Sequence, residues 1–438
     1  MRLKTSAGFG LILAGSLVVA ACGSSTSTST PASSTTSSTS SSTSDTSVMS
    51  STDSATSGGS VAMSGGSVAM SGGSQAMSGG SQAMSGGSQA MSGGSQAMSG
   101  GSEAMSGTSA GGAGGGGTLK VGVILPDTKS SARWETADRP FLVAAFKAAG
   151  VDADVQNAQG SASTMATIAD QMITSGVKVL AIVNLDNASG AAIEKKAASQ
   201  GVKTLDYDRL TLGGSAAAYI SFNNEKVGEL QGQGLADALG DKDANIVYLN
   251  GSPDDSNATA FAAGAHKILD AKSKYKKVAE QAVPKWDNQT AATIFEQMFT
   301  KQQGKINGVL AANDGLANAA IGVLTKNGVT LPVTGQDATV QGLQHILDGT
   351  QTMTVYKAVK KEAGALADAA IALAKGGQPA TTGTVKDTQT SKDVPAVLLI
   401  PQAITKANVK DVVDDGYVKA AELCAGAYAA KCTTAGIK

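Results

Sequence analysis

Polar side chains suited to hydrogen bonding recur in this sequence where short apolar runs end. The run 201–207 breaks into the adjacent acid and base Asp208 and Arg209, and a later run ends in Asn313 and Asp314. In an open α/β sheet, ligands bind just beyond the carboxyl ends of the strands, so such residues mark the edge of a polar binding site. The stretches that share this pattern are 131–134, 208–209, 250–257, 285–287, 313–314, 335–337 and 350–357.

These stretches combine carboxylates, carboxamides, arginine and lysine with Trp134 and Trp286, the two tryptophans of the chain. A hydroxyl group can donate to a carboxylate and accept from Arg, Lys or Asn, while the C–H face of a ring can pack on an indole. Hydrogen bonds to charged groups contribute about 1.5–3 kcal/mol each, so four or five of them could set both affinity and stereochemical choice. The inventory therefore favours a neutral, polyhydroxylated ligand.

Each of these residues also has an ordinary structural explanation. An acid next to a base is, taken alone, equally compatible with a solvated ion pair in a loop. Asp255, Ser256 and Asp314 suit helix N-caps. The stretch 335–337 suits a turn, and the tryptophans suit an apolar core. The repetition of the pattern at corresponding strand ends favours a binding site over these alternatives.

From residue 118 onward, apolar runs alternate with amphipathic stretches, which predicts repeated βαβ units. In the first half we expect strands at 119–126, 153–156, 177–183 and 201–207, with helices at 138–149, 163–174 and 188–199. In the second half we expect strands at 218–222, 245–249, 278–283, 308–312 and 331–335, with a helix at 226–239 capped by 223–225 and further helices between the strands. This alternation favours parallel, doubly wound sheets, and two such units predict two lobes with a ligand cleft between them.

The first 22 residues have the pattern of an export signal. A basic start is followed by the apolar run 8–21, which at fourteen residues is too short to span a bilayer. The run leads into Cys22 through Val19, Ala20 and Ala21, which resembles a bacterial lipobox, so we expect Cys22 to be lipid-modified after cleavage. The alternative is an ordinary secretory signal with an incidental cysteine, and both interpretations predict export.

Residues 23–117 contain no Leu, Ile, Phe, Trp or Tyr, and Ser, Thr, Gly and Ala dominate. Such a segment cannot bury enough apolar surface to offset its ordering entropy, so we expect a disordered tether. Seven copies of a seven-residue unit occupy 57–105; two glycines in each unit exclude a coiled coil, and the regular methionines leave Cu(I) binding as a minor alternative. The 95 residues have an r.m.s. end-to-end distance of roughly 50–60 Å, enough for an anchored domain to move across a cell wall.

The chain has 438 residues, a formal net charge of −1 and a pI near 6.2, which indicate neither a nucleic-acid partner nor a polybasic membrane patch. The predicted globular part, 118–438, has 321 residues and favours two domains. Export places Cys424 and Cys432 in an oxidising compartment, where such a pair tends to be oxidised and would close a small terminal loop. His266 and His345 are the only histidines and have no ligand at metal spacing, so we expect no metal and no cofactor.

Several ordered motifs resemble the D-xylose-binding family of bacterial ABC-transporter receptors and its relatives that bind several monosaccharides. The stretches similar to the D-xylose-binding receptors are 207–209, 221–231, 251–253, 335–337 and 350–357. The stretches 129–134 and 251–255 are more similar to the receptors for several sugars. The resemblance covers about residues 119–417, nearly the whole predicted globular part.

The resemblance implies an α/β, type I periplasmic-binding-protein fold with two doubly wound parallel-sheet lobes. One lobe would comprise 118–222 and about 357–395, and the other 223–356 and about 396–438. Three hinge strands would cross between the lobes near 221–222, 354–356 and 396–399. The implied ligand residues are Arg133, Trp134, Asp208, Arg209, Asp255, Asn257, Trp286, Asn313, Asp337 and Lys357.

The resemblance also implies a function: a monomeric, lipid-anchored receptor on the outer face of the cell membrane that captures D-xylose or a related aldose. It would close its lobes over the sugar and deliver it to a membrane permease driven by a separate ATPase. Asn250 and Ser256 stand where the D-xylose pattern has glycine and asparagine, and the segment around Trp286 is shorter and different. These departures leave the identity of the sugar open, but not its class.

Other function classes fit the sequence less well. We find no Gly-x-Ser-x-Gly nucleophile elbow between a strand and a helix, no Walker loop, no His-Glu-x-x-His and no strand-linked dinucleotide fingerprint. A paired-carboxylate glycosidase remains an alternative, which turnover of a glycoside would reveal. A transcriptional repressor would need a helix-turn-helix where this chain has a signal and a tether. A sensor that presents its sugar to a chemoreceptor or kinase would share the site and differ only in partner.

Overall fold

A computed structural model describes residues 119–438 of the chain. The predicted export signal, the predicted lipidation site at Cys22 and the predicted tether 23–117 lie outside the described residues. Two lobes, each with a parallel β-sheet flanked by helices, make up the described residues, so the predicted α/β fold class is confirmed. Within residues 119–438, none of the helices combines the length and the apolar character needed to cross a bilayer.

The first lobe is built on a seven-stranded sheet with the order β10-β11-β5-β4-β3-β1-β2. All neighbouring pairs are parallel except β10 with β11 at one edge. Its strands are β1 Lys120–Leu125, β2 Asp152–Asn157, β3 Val179–Ile182, β4 Lys203–Tyr207, β5 Tyr219–Phe222, β10 Gly383–Lys386 and β11 Asp393–Leu399. Its helices are α1 Arg139–Ala148, α2 Ala162–Thr174, α3 Asn187–Ser199 and α9 Val359–Ala374.

The second lobe contains a parallel sheet with the order β7-β6-β8 and an antiparallel pair, β9 with β12. Its strands are β6 Ala244–Asn250, β7 Tyr275–Ala282, β8 Gly308–Ala311, β9 Thr354–Tyr356 and β12 Gln402–Ile404. Its helices are α4 Asn224–Leu239, α5 Ser256–Leu269, α6 Asn288–Lys301, α7 Asp314–Lys326, α8 Val340–Asp348, α10 Lys410–Asp414, α11 Ala420–Leu423 and α12 Ala429–Thr434.

Helices cover both faces of the first sheet, which explains why its central strands are continuous apolar runs. Successive side chains of β1 point to opposite faces: Val123 packs in a core with Phe146 of α1 and Leu366 of α9, whereas Ile124 packs in a second core with Met165 of α2. Successive side chains of a strand point to opposite faces of the sheet, so a strand with alternating apolar and polar residues would place polar side chains in one of these cores. The carboxyl ends of the parallel strands border the cleft, and the helices packed on both faces of the sheet hold these ends in place.

The chain passes between the lobes three times, in each case directly beyond a strand. It leaves β5 for α4, leaves β9 for α9, and leaves β11 for β12. The last of these passages follows Leu399, because β11 stays paired with β5 up to the pair Leu399 and Phe222. Short connections of this kind allow a hinge motion of one lobe against the other.

One predicted strand is wrong as an extended element. The segment 331–335 forms only a single parallel bridge, between Val333 and Val309, rather than a strand. Pro332 explains part of this, since its carbonyl accepts the Val309 amide but its own nitrogen has no hydrogen to donate. Beyond the bridge the chain turns toward the cleft, which matters for the site described below.

The C-terminal segment packs against α8 of the second lobe. Val412, Leu423 and Cys432 share a buried cluster with Leu343 and Ile346 of α8. The structure joins Cys424 and Cys432 by a disulfide that spans eight positions of the chain. The bridge therefore fastens the last short helices to one another, and the cluster fastens them to the lobe.

Candidate functional site

A small cavity lies between the two lobes, with about 280 Å³ of space that no atom fills, part of it open to solvent. All ten residues that the sequence implied as ligand contacts line this cavity. They are Arg133, Trp134, Asp208, Arg209, Asp255, Asn257, Trp286, Asn313, Asp337 and Lys357. Each is buried, with at most 6% of its surface exposed.

Asp208 is placed by a strained turn at the end of β4. Its backbone has φ +59°, a left-handed conformation that is uncommon outside glycine, although Asp adopts it more readily than most residues. The carbonyl of Asp208 accepts hydrogen bonds from the Tyr219 hydroxyl (2.7 Å), the Ser221 hydroxyl (2.8 Å) and the Asn257 carboxamide (2.7 Å). These three donors come from both lobes and hold the turn in place. The adjacent Arg209 then points its guanidinium into the cleft, where it pairs with Asp255.

Arg133 follows β1 and is fixed by three carboxylates. It makes two hydrogen bonds to Asp138 (2.8 and 2.7 Å), one to Glu362 (2.8 Å) and one to Asp208 (2.8 Å). Burial opposes its charge, but the three acids outweigh burial and raise the pKa of Arg133 above its ordinary value. Burial in turn raises the pKa of Glu362 well above that of an exposed glutamate, despite the charge of Arg133. The guanidinium is therefore oriented before any ligand arrives.

The second lobe presents Asp255 and Asn257 from the start of α5. Asp255 is the N-cap of this helix, and its side chain accepts the Asn257 amide at 2.9 Å. It also accepts the indole N–H of Trp286 at 3.1 Å and lies 3.0 Å from Nε of Arg209. Burial raises the pKa of the Asp255 carboxyl, and the charge of Arg209 opposes that rise. The cap and the binding site therefore use the same carboxylate.

Trp286 fits against the backbone of the loop that follows β6. A Cβ atom added to Gly251 would collide with the six-membered ring of this indole, so only glycine allows the approach. Trp286 itself has φ +55°, and its ring meets Phe261 edge-on, with centroids 6.4 Å apart. Trp134, on the opposite lobe, donates its N–H to Ser130 and carries the guanidinium of Arg133 4.6 Å from its ring centroid. Both tryptophans fill core space and line the cavity.

Asn313 and Asp337 join the site to the facing lobe. Asn313 is the N-cap of α7, and its side-chain N–H donates to the Ser130 carbonyl across the cleft at 3.1 Å. Asp337 accepts the Ser131 hydroxyl across the cleft at 2.8 Å. Its backbone has φ +95°, and its carbonyl accepts the Tyr417 hydroxyl at 2.9 Å. These contacts close the cleft on the side of β1.

Lys357 lies at the second passage between the lobes, directly beyond β9. Its ammonium is 3.2 Å from Asp208 in the first lobe and 3.6 Å from Asp337 in the second. Burial alone would raise the pKa of the Asp208 carboxyl, but the charges of Lys357, Arg133 and Arg209 outweigh burial and hold it well below its ordinary value. Asp208 is therefore ionised at every physiological pH.

The structure adds four residues to the cavity that the sequence did not assign: Ser130, Ser131, Phe261 and Gln336. Phe261 was detectable, because it lies four positions after Asn257 in α5 and so shares its helix face. Ser130 and Ser131 lie three and two positions before Arg133, within the stretch 129–134 that resembles the receptors for several sugars, but neither was assigned as a ligand contact. Asn250 and Ser256, the departures from the D-xylose pattern, bond elsewhere, to Glu280 and to the Leu210 carbonyl.

The arrangement favours recognition of hydroxyl groups. Carboxylates from both lobes alternate with arginine, lysine and asparagine around the cavity, and aromatic rings from both lobes complete it. Among residues 119–438, no cluster of three or more His, Cys, Asp and Glu side chains is placed to hold a metal ion.

Comparisons with known proteins identify relatives of this chain. The D-xylose-binding periplasmic protein of Escherichia coli K12 is 37% identical over 311 residues, which cover 70% of this chain and 92% of that protein. A multiple sugar-binding periplasmic receptor of Rhizobium radiobacter is 34% identical, over 69% of this chain and 92% of its own length.

Among solved structures, a carbohydrate transporter solute binding protein from Chloroflexus aurantiacus in complex with D-glucose has a TM-score of 0.65 and 30% identity. The match covers 70% of this chain and 98% of that one. A model of the periplasmic binding protein domain matches residues 121–378, more than half of the sequence. The chain therefore belongs to the periplasmic binding protein family and has its type I fold.

Proposed function

We propose that this protein is the sugar-capturing receptor of an ABC importer, with D-xylose or a related aldose as its ligand. The names of its relatives support this class of ligand: D-xylose for two of them, several sugars for two others. The observation that carries the proposal is the closed ring of charged and carboxamide side chains from both lobes around one small cavity. The hydroxyl groups of one sugar could donate to the carboxylates around the cavity and accept from its Arg, Lys and Asn side chains.

The contacts across the cleft explain how such a ligand would drive closure. Ser131 meets Asp337, the Ser130 carbonyl meets Asn313, and Arg209 meets Asp255, so both lobes contribute to one polar network. A sugar that bonds to both halves of the network binds the closed state better than the open state. It therefore shifts the population toward closure, which is the form that a permease would recognise.

Backbone strain supports a functional role for these positions. Asp208, Asp337 and Trp286 all have positive φ, at +59°, +95° and +55°. Such conformations cost on the order of 1–3 kcal/mol each and persist where the surroundings require them, often at binding sites. Three such residues among the fourteen that line one cavity support a role for this geometry in binding.

We also propose that the site binds without turnover. Asp208 and Asp255 are already paired with Arg133, Arg209 or Lys357, which suits them to accept hydroxyl hydrogens rather than to act as free acids or bases. The relatives are named as binding proteins and receptors. A sensor that presents the sugar to a chemoreceptor or kinase would use the same site, and the genes beside this one would distinguish it.

The proposal includes export and a lipid anchor at Cys22, with the segment 23–117 as a tether and the receptor acting as a monomer. The lipobox-like sequence supports the anchor, and mass spectrometry of the mature N-terminus from a bacterial host would test it.

A thermal-shift screen with xylose, arabinose, galactose, glucose, ribose and fucose tests the ligand class. A bound sugar should raise the melting temperature by mass action, with the largest rise for the tightest ligand. Titration calorimetry of the best ligand should then give a single site per chain. The absence of a shift for all six sugars would contradict the proposal, and release of product from nitrophenyl glycosides would favour an enzyme.

A further inference from the structure

Asp314, the first residue of α7, is buried beside the cavity but is not among its lining residues. The sequence suggested a helix cap at this position, but Asn313 is the cap, with its side chain accepting the Leu316 amide. The carboxylate of Asp314 instead accepts four hydrogen bonds from outside its own helix. The donors are the Thr339 amide (2.8 Å), the Thr339 hydroxyl (3.1 Å), the Gln351 carboxamide (2.8 Å) and the Thr354 hydroxyl (2.8 Å).

These bonds bracket the turn that carries Asp337. The backbone amide of Asp314 donates to the Gln336 carbonyl at 2.9 Å, on one side of the turn, and its carboxylate accepts the Thr339 amide on the other. Between these two anchors lie Asp337 and Ala338, both at positive φ, +95° and +49°. Two consecutive residues in this conformation require support from their surroundings.

The chain leaves space for Asp314 at two glycines. A Cβ atom on Gly335 or on Gly342 would collide with the carboxylate of Asp314. The hinge strand β9 also takes part, because the Thr354 hydroxyl that donates to Asp314 accepts the Ala338 amide at 3.2 Å. The carboxylate therefore links the turn, the start of α8 and the hinge strand.

We propose that Asp314 is a positioning residue, whose carboxylate holds the strained turn 336–339 so that the Asp337 side chain faces the ligand cavity. The inference rests on the proposed sugar-binding function and deepens it. Asp314 acts through Asp337, which reaches Lys357 and the Ser131 hydroxyl of the facing lobe. A substitution at Asp314 should therefore weaken sugar binding only as far as Asp337 contributes to it.

A double-mutant cycle on sugar affinity tests this. Asp314→Asn, Asp337→Asn and the double variant would be titrated with D-xylose and with the best sugar of the panel by calorimetry at pH 8. Burial raises the pKa of the Asp314 carboxyl to about 7, and pH 8 lies above that value, so the carboxyl is mostly ionised in the experiment. We expect Asp314→Asn alone to raise Kd about 10- to 100-fold, but to change it less than about threefold when Asp337→Asn is already present.

Asp387→Asn is the matched control. Asp387 is equally buried and also holds a turn, accepting the Gln389 amide, the Thr390 amide and hydroxyl and the Gly213 amide, but its turn contributes no residue to the cavity. It should lower the melting temperature and leave Kd unchanged. If Asp314→Asn does not fold, Gln351→Met removes one donor to Asp314 and should give a several-fold rise in Kd with the same dependence on Asp337.

The outcomes separate this inference from the proposed function. If the wild-type protein binds none of the sugars, both are overturned. If the wild type binds and Asp314→Asn binds equally well, only the positioning role is overturned. Effects of Asp314→Asn and Asp337→Asn that multiply independently would also overturn it, because they would show that Asp314 does not act through Asp337.

Discussion

Arg209 of the first lobe and Asp255 of the second form a buried ion pair across the cleft, with Nε 3.0 Å from Oδ2. Removing one partner of such a pair leaves a buried charge without compensation, which costs more than the pair itself contributes. This pair already joins the two lobes, while Oε1 of Gln336 and Oδ1 of Asp337 are buried without a hydrogen-bond partner among the described residues. Ligand hydroxyls would join this network and would not need to create it.

Asp337→Ala should abolish sugar binding and leave the protein folded. Asp337 accepts a hydrogen bond from Ser131 of the facing lobe and lies 3.6 Å from Lys357. In the mutant, Lys357 would still be paired with Asp208, so no buried charge would be left without a partner. We expect an affinity loss of more than about 100-fold, the scale set by two lost charge-assisted hydrogen bonds. Titration calorimetry measures the loss and circular dichroism the fold, with the outlying Asp348→Ala as the control. Undiminished binding would count heavily against the site.

Lys357→Met should weaken binding and favour the open form. Without the ammonium, Asp208 and Asp337 would face each other from opposite lobes without the cation that now lies between them. Like charges that approach in a buried site repel, so closure becomes unfavourable. Small-angle scattering with saturating sugar should show a larger radius of gyration than for the wild type. An unchanged radius would mean that Lys357 binds ligand without controlling closure.

Ser131→Ala should accelerate sugar release. The mutation removes the hydroxyl that donates to Asp337 across the mouth of the cleft at 2.8 Å. A hydrogen bond to a charged group contributes about 1.5–3 kcal/mol, so the dissociation rate should rise about tenfold or more. Stopped-flow fluorescence of the buried tryptophans would follow it. The association rate should stay nearly constant. A mutant that only binds sugar more slowly, with an unchanged dissociation rate, would contradict a role of the Ser131–Asp337 hydrogen bond in retaining the sugar.

The stability of the protein should fall as pH rises toward neutrality, in part through Asp314. Burial raises the pKa of this carboxyl to about 7, against about 3.9 in an unfolded chain, so between these values the folded state binds a proton that the unfolded state does not. The contribution of this group to the free energy of unfolding is therefore greatest near pH 4 and declines up to about pH 7.

Urea denaturation of the wild type and of Asp314→Asn at pH 4, 5, 6, 7 and 8 would measure that decline. The wild type should lose up to about 4 kcal/mol relative to the variant between pH 4 and 8, since each pKa unit corresponds to about 1.4 kcal/mol. Parallel curves for the two proteins would contradict the assignment.

Replacing both Cys424 and Cys432 by serine should loosen the C-terminal segment locally. Their disulfide spans eight positions, and closing a loop of this length stabilises by about 2.5 kcal/mol in the chain-entropy model. Hydrogen exchange should increase in 405–438 and remain unchanged in the first lobe. Exchange that rises throughout both lobes would show that the bridge supports the whole fold.

The sequence allowed prediction of most of the fold because the parallel strands are buried on both faces and therefore appear as apolar runs. The short edge strand β10, with the sequence Gly-Thr-Val-Lys, has no such signature and was not predicted. The predicted strand at 331–335 failed because Pro332 and the turn beyond it end the pairing after one bridge. Tertiary contacts decide such marginal segments.

The ten residues that the family resemblance implied line one cavity because polar side chains at strand ends converge by topology, and their role in binding stays a prediction. What the sequence could not show was the support behind them. Asp314 looks like a cap in the sequence, and only the structure reveals its four donors from three segments. Likewise, Glu362 in α9 has no strand end to mark it, although it bonds directly to Arg133.

Lys357 occupies a joint of the molecule as well as a wall of its cavity. We expect any substitution of Lys357 that changes the preferred ligand to change the free energy of lobe closure as well. Ligand specificity and the equilibrium between open and closed lobes therefore depend on the same side chain. A biosensor engineered from this protein would have to adjust both together.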